Sequence, residues 1–550
     1  MLKGIDKNYW IIGIASAVFF LPFLGGVHLF DWDEINFAEC AREMVLTGEY
    51  LRPTINFEPF WEKPPLFFWL QSLAMHIFGV NEYAARFPNA ICGTSTLLIT
   101  YHIGKKLYDK KFGWFWTLSY FGSILPHLYF KSAIIDPVFN LFIFLSLYFL
   151  IKTENPNDFS ERAKNDKSYP LSIFVAGAFS GLAVLTKGPV GFLIIALTWL
   201  IKLLIFRELT WSKIKHFVVF SVTALFVTSL WLGVETLKNG TWFLNTFIDY
   251  NLRLAKTQDA GHGGFWGYHF VVILFGCFPA SIFALRSLYK GYNFYNEKVD
   301  FTRWMKVLFW VVIVLFSLVQ SKIVHYSSMC YLPLAFLSAI TLKTILENKV
   351  YFSYVKILLL IVGILLGSIV VAVPFIGQHI EILKPLFKND IFALKNLEAN
   401  VKWTGAEAIA GFILILTIVI YYFLSFKPRI LRGLFVLAVG VAVFVNLALV
   451  LFVGKIEGYS QNAAIEFYKL HATEDAYVEA FGFKSYAHLF YSKKRLPTNP
   501  NHKKMDFLLR GSVDKPTYFA AHIPEKNQLD TISTLAFLYE KNGFVFYRRK

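Results

Sequence analysis

The sequence predicts an all-α polytopic membrane protein that ends in a small α/β domain outside the membrane. Hydrophobic residues make up 56% of the 550 residues, whereas charged residues make up only 17%. A soluble protein of this length would need far more charge to cover its surface. The apolar residues gather in runs long enough to cross a bilayer, and after Gly454 the composition changes to that of a soluble domain.

Thirteen apolar runs are expected to cross the membrane. The first begins at Trp10 and is too long for the core of a signal peptide, so we expect it to remain as a helix. The segment from Leu66 to Phe78 is too short to cross and is expected to lie against the membrane. The expected spans lie near residues 10–30, 82–104, 113–131, 137–152, 170–186, 188–206, 216–234, 267–285, 307–320, 326–342, 356–376, 406–426 and 433–453.

Positive charge is concentrated in alternate loops between these runs, beginning with Lys3 and Lys7. Because cytoplasmic loops carry an excess of Lys and Arg, we expect a multi-pass protein of the inner membrane with a cytoplasmic amino terminus. The same loops account for the net charge of +17 without any binding of nucleic acid. Three segments are then expected to face outward, into the periplasm: residues 31–65, residues 235–265 and everything after Val453.

The carboxyl-terminal region is expected to fold as a mixed α/β domain over residues 455–550, with helices between its strands. No motif in it indicates a function. The expected strands, which are rich in β-branched and aromatic residues, are 476–481, 489–491, 517–522 and 544–547.

The first outward segment places the carboxyl groups of Asp31, Asp33 and Glu34 at the expected membrane surface. The apolar and charged residues that follow recur with helical spacing, which predicts an amphipathic helix lying along the membrane. A simpler interpretation is that Asp31 or Asp33 only caps this helix. A cap needs one carboxyl group, however, and the segment also ends in a charged E-K-P-P turn that includes Glu62 and Lys63.

Further polar residues fall at the outward ends of the expected spans. Asp136 precedes a proline at one such end, and Lys187 marks another. An ionisable residue that faces a polar cavity at a span end is a functional candidate. Two simpler roles stay open, a helix cap for Asp136 and an interfacial ammonium group for Lys187. The outward segment of residues 235–265 adds Arg253 and His262, of which His262 is more simply interpreted as a solvent-exposed loop histidine.

These motifs resemble those of a known family. The D-x-D-E start, the A-x-x-A-R-E-M helix and the E-K-P-P turn are similar to the GT-C membrane glycosyltransferases, in particular the aminoarabinose (lipid A) transferase and protein O-mannosyltransferase-like group. The segment from Ser321 to Tyr326 resembles the family's S-K-x-x-x-Y sequence before an L-P turn. The resemblance covers most of the chain. It implies a GT-C transmembrane catalytic domain over residues 1–454, with juxtamembrane helices at 31–80.

The resemblance implies an inverting glycosyltransferase that takes a sugar from a polyprenyl (undecaprenyl) monophosphate and acts at the periplasmic face. The acceptor would be lipid A or another glycolipid or glycan, with a protein as the alternative, and the enzyme would be a monomer. Asp33 would be the catalytic carboxylate, and its supports would be Asp136, Glu34 and Glu62. The donor phosphate would be bound by Lys63, Arg253, Tyr326 and Lys187.

Metal dependence stays open at this stage. The family often carries a histidine just before the arginine that corresponds to Arg253, but Tyr250 and Asn251 stand there in this chain. No other cofactor is expected. The cysteines show no metal-ligand spacing and no disulfide framework; they are Cys40, Cys92, Cys277 and Cys330.

Simple chemistry agrees with the implied reaction. Cations at the membrane surface can bind a lipid-linked phosphate and stabilise it as it leaves, and a carboxylate can take a proton from an acceptor hydroxyl. Because no glycine-rich nucleotide-binding motif follows a strand, the activated sugar is expected to come from a lipid carrier. A polytopic lipid or glycan transporter is the alternative from a different class, but it would place its ionisable residues near mid-span.

Overall fold

The computed structural model describes residues 6–154, 169–256, 263–289, 300–348, 352–425 and 430–550. Twelve of the thirteen apolar runs fall largely on helical structure within these residues. The first, expected at residues 10–30, is helical only as far as Phe20, so its helix is shorter than predicted. Seven helical stretches are long and apolar enough to cross a membrane, and three further apolar helices are shorter. The polytopic helical fold is therefore confirmed, whereas the number of thirteen spans stays a prediction. The seven stretches are Asp136–Glu154, Trp211–Asn239, Asp300–Leu318, Val324–Glu347, Ser353–Gln378, Ala406–Leu424 and Leu431–Gly458.

Twenty helices precede the carboxyl-terminal domain in the described ranges. A 3₁₀ helix, Val324–Cys330, leads into α15, and a π-helical turn, Leu449–Val453, joins α19 to α20. In chain order the helices are α1 (Lys7–Phe20), α2 (Asp33–Thr47), α3 (Leu66–Phe78), α4 (Glu82–Leu107), α5 (Lys110–Phe121), α6 (Ile124–Tyr129), α7 (Asp136–Glu154), α8 (Tyr169–Lys187), α9 (Val190–Ile205), α10 (Trp211–Asn239), α11 (Trp242–Lys256), α12 (Tyr268–Gly276), α13 (Ala280–Tyr289), α14 (Asp300–Leu318), α15 (Tyr331–Asn348), α16 (Ser353–Gln378), α17 (Ile391–Asn396), α18 (Ile409–Leu424), α19 (Ile430–Ala448) and α20 (Gly454–Gly458).

Helix α2 is present as predicted, but its charged face does not meet water. Glu39 and Glu43 are fully buried. Glu39 pairs with Arg42 at 2.6 Å, and Arg42 also donates to the backbone oxygen of Lys494 in the carboxyl-terminal domain. Burial, together with the charge of Glu39, raises the pKa of Glu43 to about 8. The helix is therefore enclosed between the membrane bundle and the outer domain, rather than lying open on the membrane surface.

A short hairpin follows α2 and covers part of its charged face. Strands β1 (Thr54–Ile55) and β2 (Glu58–Pro59) are antiparallel. The two residues of the turn, Asn56 and Phe57, have φ angles of 55° and 58°, as a tight two-residue hairpin turn requires. Glu43 accepts hydrogen bonds from Thr54 Oγ1 at 2.6 Å and from the Phe57 backbone, which attaches the hairpin to the helix.

The outward segment of residues 235–265, expected as a loop, contains the helix α11. Phe243, Phe247 and Tyr250 recur along one side of this helix and are buried, and Phe243 packs edge-on against Trp231 of α10. The apolar spacing holds α11 against the end of α10. His262 lies outside the described residues.

The carboxyl-terminal domain is a small α/β unit, as predicted. Its sheet has the strand order β3-β4-β6-β5, with β3 parallel to β4 and the other pairs antiparallel. The continuous helical stretch Leu431–Gly458 extends past the boundary predicted at residue 454. Its elements are α21 (Asn462–Leu470), β3 (Tyr477–Phe481), α22 (Ala487–Tyr491), α23 (Met505–Arg510), β4 (Thr517–His522), α24 (Lys526–Asp530), β5 (Leu535–Lys541) and β6 (Phe544–Arg549).

One predicted strand is wrong and one strand was not predicted. Residues 489–491 belong to helix α22, in which all five residues are buried. A short apolar run cannot be assigned to helix or strand from periodicity alone. Strand β5 was missed because it lies at the edge of the sheet and exposes Phe537, Leu538 and Tyr539, so it lacks the alternation of a half-buried strand.

Candidate active site

The predicted site residues come from segments that are distant in the chain but meet in the fold. Asp33 begins α2, Asp136 begins α7 and Lys187 ends α8. Tyr326 lies in the 3₁₀ helix Val324–Cys330. These helix ends surround one histidine that the sequence analysis did not select, His325.

His325 lies between two carboxylates, and we call Asp33, Asp136 and His325 the carboxylate cluster. Its Nε2 atom is 3.6 Å from Asp33 Oδ2 and 4.0 Å from Asp136 Oδ2. The Asp33 side chain is 35% exposed, whereas that of Asp136 is 2% exposed. Asp33 is therefore the carboxylate of this cluster that a substrate can reach.

Asp136 is held by a buried polar network. Its Oδ1 atom lies 2.6 Å from Lys187 Nζ and accepts a longer hydrogen bond from Ser328 Oγ, which in turn receives Asn140 Nδ2 at 2.8 Å. Lys187 therefore neutralises Asp136 directly, and an interfacial position for its ammonium group does not fit this contact. Asp136 Oδ2 has no hydrogen-bond partner among the described residues, and it points toward His325.

The capping interpretation of the acidic start does not match the structure. Asp33 is the first residue of α2, and Trp32 occupies the N-cap position. Asp31 instead accepts a hydrogen bond from Ser485 of the carboxyl-terminal domain. The two aspartates therefore have different surroundings, and only Asp33 faces His325.

A second group, the cation cluster, consists of Lys63, Tyr250 and Arg253. Lys63 Nζ lies 5.0 Å from the centre of the Tyr250 ring and 3.4 Å from its hydroxyl oxygen. Arg253 Cζ lies 5.5 Å from the same ring. The Tyr250 hydroxyl donates to Glu62 Oε2 at 3.3 Å. The buried ring of Tyr250 thus lies close to two cations. Two cations together bind an anion more strongly than one of them alone.

Gly188 brings α8 and α11 together at this point. Its φ of 109° is a conformation that only glycine adopts readily, and a Cβ there would lie 2.8 Å from Phe247 Cζ. The turn after Lys187 can therefore approach the helix that carries Tyr250 and Arg253.

The two clusters form parts of one site. Lys187 Nζ lies 5.5 Å from the centre of the Tyr326 ring, and that ring packs 5.4 Å from the ring of His325. Gly188, the residue after Lys187, lies against Phe247 of the helix that carries Tyr250 and Arg253. Carboxylates therefore stand beside a set of cations, an arrangement that can hold an anion next to a group that accepts a proton.

Glu34, predicted to support catalysis, is engaged elsewhere. Its two oxygens receive Nε and Nη2 of Arg86 at 3.0 and 2.8 Å, and they also accept the backbone amides of Ala133 and Phe30. Burial disfavours its ionised form, but the charge of Arg86 and these hydrogen bonds outweigh burial and hold the pKa of Glu34 below its usual range. This geometry supports a structural role, and the catalytic role proposed from the sequence is not supported by these contacts.

Substitution of Glu34 tests this role. We expect Glu34→Ala to lower the free energy of unfolding by about 3–5 kcal/mol, because removing one partner of a buried ion pair leaves Arg86 uncompensated. The measurement is the thermal unfolding midpoint in detergent together with the activity per folded molecule. Glu466→Ala, which removes a half-exposed pair with Lys541, is the control and should cost at most about 1 kcal/mol. A stable but inactive Glu34→Ala protein would contradict a structural role.

The described side chains do not gather into a site for a divalent metal ion. Within the described ranges, no group of three or more His, Cys, Asp or Glu side chains is placed to hold a metal. Glu62 has the Tyr250 hydroxyl beside it, where the resembling family often has a histidine, and Lys63 donates to that same hydroxyl. An ammonium group already supplies positive charge at this position. The four cysteines are free and buried.

The sequence analysis selected neither His325 nor Tyr250 as a site residue. Both lie in segments that it did select, directly before Tyr326 and close to Arg253. Only their positions could have indicated a role in the site, because a single histidine carries no specific signal and tyrosine is common at membrane interfaces.

Known proteins share both sequence and fold with this chain. A family model described as dolichyl-phosphate-mannose-protein mannosyltransferase matches residues 62–233. The undecaprenyl phosphate-alpha-4-amino-4-deoxy-L-arabinose arabinosyl transferase of Pectobacterium atrosepticum is 25% identical over 341 residues, which is 60% of this chain and 58% of that protein. A protein described as arabinosyl transferase 1 of the same kind, from Proteus mirabilis, is 26% identical over 61% of this chain and 59% of its own length. The chain thus spans about three fifths of the curated relatives that it matches.

Solved structures extend the likeness to the whole chain. The crystal structure of ArnT from Cupriavidus metallidurans bound to undecaprenyl phosphate matches with a TM-score of 0.78 at 17% identity, over 99% of this chain and 98% of that one. The oligosaccharyltransferase of Archaeoglobus fulgidus in the apo form matches with a TM-score of 0.51 at 10% identity. The chain therefore has the fold of the GT-C membrane glycosyltransferases, and the resemblance predicted from its motifs, to the aminoarabinose transferase and protein O-mannosyltransferase-like group, is confirmed.

Proposed function

We propose that this protein is an inverting glycosyltransferase of the inner membrane. It takes a sugar from a polyprenyl monophosphate donor and transfers it to an acceptor at the periplasmic face. The acceptor we favour is lipid A or another glycolipid, because the matched relatives from Pectobacterium and Proteus are described as aminoarabinose transferases. The observation that carries the proposal is the partly exposed carboxylate of Asp33 beside a set of cations.

The proposed reaction is a single displacement. An acceptor oxygen attacks the anomeric carbon of the donor sugar while the bond from that carbon to the phosphate oxygen breaks. Asp33 accepts the proton of the acceptor hydroxyl, and the bonding electrons leave with the phosphate. A second basic atom, His325 Nε2, lies 3.6 Å from Asp33 Oδ2 and can share that proton.

The cations stabilise the departing phosphate. Lys63 Nζ and Arg253 Cζ lie 5.0 and 5.5 Å from the centre of the same ring, that of Tyr250, so both charges are available to one anion. Positioned donors of this kind lower the barrier because they are already oriented when negative charge develops. Lys187 has a different role, because its direct contact with Asp136 balances the negative charge of that buried carboxylate.

The assay uses purified protein and defined donors. Polyprenyl phosphate carrying 4-amino-4-deoxy-L-arabinose, mannose or another sugar is offered with lipid A, a glycan or a peptide, and the product is detected by mass spectrometry. We expect transfer from a lipid-linked donor and release of polyprenyl phosphate. Transfer to the peptide would favour a protein O-glycosyltransferase instead. Movement of an intact lipid-linked sugar across vesicles without any transfer would favour a transporter.

The proposed orientation predicts which positions are accessible from the periplasm. A membrane-impermeant thiol reagent should label a cysteine introduced at Ser512, an exposed position of the carboxyl-terminal domain. It should not label one at Asn165, which lies in the predicted cytoplasmic loop outside the described residues. The native cysteines are buried and should add little background. Labelling of both positions after permeabilisation is the control, and the reverse pattern in intact membranes would place the site on the cytoplasmic side.

A further inference from the structure

Residues 28–32 form a strap that leads directly into Asp33. The strap contains no helix or strand, so its position depends on contacts with other parts of the chain. Glu34 holds the strap by accepting a hydrogen bond from the backbone amide of Phe30 at 3.1 Å. Further contacts with the strap come from the carboxyl-terminal region.

The carboxyl-terminal region binds the strap through both backbone and side chains. The Leu29 amide donates to the hydroxyl of Tyr491 at 2.7 Å, and the Leu29 carbonyl accepts Gln461 Nε2 at 2.8 Å. Ser485 Oγ donates to Asp31 Oδ2. At the last residue of the strap, Lys484 Nζ lies 4.8 Å from the centre of the Trp32 ring. A hydrogen bond adds to these contacts, between His28 Nδ1 and Glu457 Oε1 at 2.6 Å.

Ser485 is itself held in place. It is buried, and its Oγ atom accepts the backbone amide of Ala487 at 3.1 Å. Phe490 and Tyr491 of α22 pack in one hydrophobic cluster with Ile35 and Ala41 of α2. The hydroxyl that reaches Asp31 therefore comes from a surface that is packed directly on the helix of the site.

Asp31 accepts the hydrogen bond from the carboxyl-terminal domain that lies nearest to Asp33 along the strap. Asp31 is itself exposed, but its Oδ2 atom is held by the hydroxyl of Ser485, which is buried. Without that hydroxyl, the Asp31 side chain would turn to water. The backbone between Leu29 and Asp33 would then lose one of its attachments to the domain.

We propose that the carboxyl-terminal domain positions Asp33 for transfer by holding this strap, with Ser485 as the main positioning residue. The inference rests on the proposed function, because it gives Asp33 its role in the reaction. Neither Ser485 nor Asp31 touches substrate in this scheme. They act through the backbone of Trp32, which joins Asp31 to Asp33.

The test compares Ser485→Ala with two matched variants. Ser485→Thr keeps the hydroxyl, and Tyr477→Phe removes a different hydrogen bond of the same domain, from Tyr477 to Asp514 at 2.9 Å. We expect Ser485→Ala to lower kcat between about tenfold and a hundredfold, since misplacement of a reacting group by about an ångström costs that much. Its affinity for undecaprenyl phosphate should not change. Ser485→Thr should retain most of kcat, and Tyr477→Phe all of it.

A second readout does not depend on catalysis. In an Asp33→Cys protein, the rate of labelling by a thiol reagent measures how accessible the side chain of residue 33 is. We expect that rate to rise when Ser485→Ala is added and to stay the same when Tyr477→Phe is added. Tyr491→Phe, which releases Leu29, should act in the same direction as Ser485→Ala.

The outcomes separate this inference from the proposed function. A wild-type protein that binds undecaprenyl phosphate but transfers no sugar would overturn the proposed function. Active wild-type protein together with unchanged kcat and labelling in Ser485→Ala would overturn the positioning role alone. If Ser485→Ala does not fold, Tyr491→Phe serves as the test of the positioning role instead. An unchanged kcat and labelling rate in Tyr491→Phe would then overturn the inference.

Discussion

Asp33→Asn is expected to abolish sugar transfer and to leave the protein folded and inserted. Asparagine has nearly the same shape but cannot accept the proton of the acceptor hydroxyl at neutral pH. Since asparagine caps helices about as well as aspartate, the loss could not be attributed to helix capping. Asp33 is also partly exposed, so its replacement leaves no buried charge without a partner.

The measurement is product formation at saturating donor, together with the thermal unfolding midpoint. Asp506→Asn makes the same chemical change at a side chain that is 81% exposed, and it should have normal activity. Asp136→Asn should be severely impaired as well, with some loss of stability because Lys187 loses its partner. Near-normal transfer by Asp33→Asn would remove this residue from the mechanism.

Lys63→Ala and Arg253→Ala are each expected to reduce turnover by a factor of about a hundred to a thousand. Loss of one positioned donor to a developing negative charge costs about 3–4 kcal/mol. The affinity for the donor should fall too, because in the proposed site each cation binds the phosphate both before and during transfer. Lys63→Arg should recover only part of the activity, since a planar guanidinium group does not replace a compact ammonium group.

Lys238→Ala is the matched control for these variants. Lys238 is an exposed lysine in the predicted outward segment that also carries Arg253, and it is paired with Glu49 at 3.4 Å. An exposed pair contributes at most about 1 kcal/mol. Steady-state kinetics with a purified polyprenyl phosphate-sugar distinguishes a cation that binds the phosphate from an exposed surface lysine. Turnover above about a tenth of normal in both Lys63→Ala and Arg253→Ala, far from the loss expected of a phosphate donor, would exclude the cation cluster as the phosphate site.

That the site residues share one side of the membrane could be predicted because charge in the loops follows a simple physical rule. Asp33, Asp136 and Lys187 were assigned to the same side of the membrane from that rule, and the structure places all three around His325. The contacts between individual side chains could not be predicted. One sequence shows which end of a span a residue occupies, but not which neighbour its side chain meets.

Asp33 and Glu34 illustrate this limit. They are adjacent in sequence and have the same chemistry, yet one is partly exposed and the other is enclosed by Arg86. A helix turns by about 100° per residue, with 3.6 residues in each turn. Adjacent carboxyl groups therefore face different surroundings, and only the packing of α4 against α2 shows which of them is buried.

The wide separation of Asp33 and His325 along the chain has a consequence for biosynthesis. Helices are made and inserted in order from the amino terminus, so Asp33 reaches the membrane while more than half of the chain is still to be translated. Lys63, Asp136 and Lys187 follow within the region that the mannosyltransferase family model matches, but His325 and the hydroxyl of Ser485 come later. A nascent or prematurely terminated chain would thus hold cations able to attract a lipid-linked sugar without the complete proton-accepting site. In the proposed mechanism, transfer therefore begins only after the later helices and the carboxyl-terminal domain have assembled around the first outward segment.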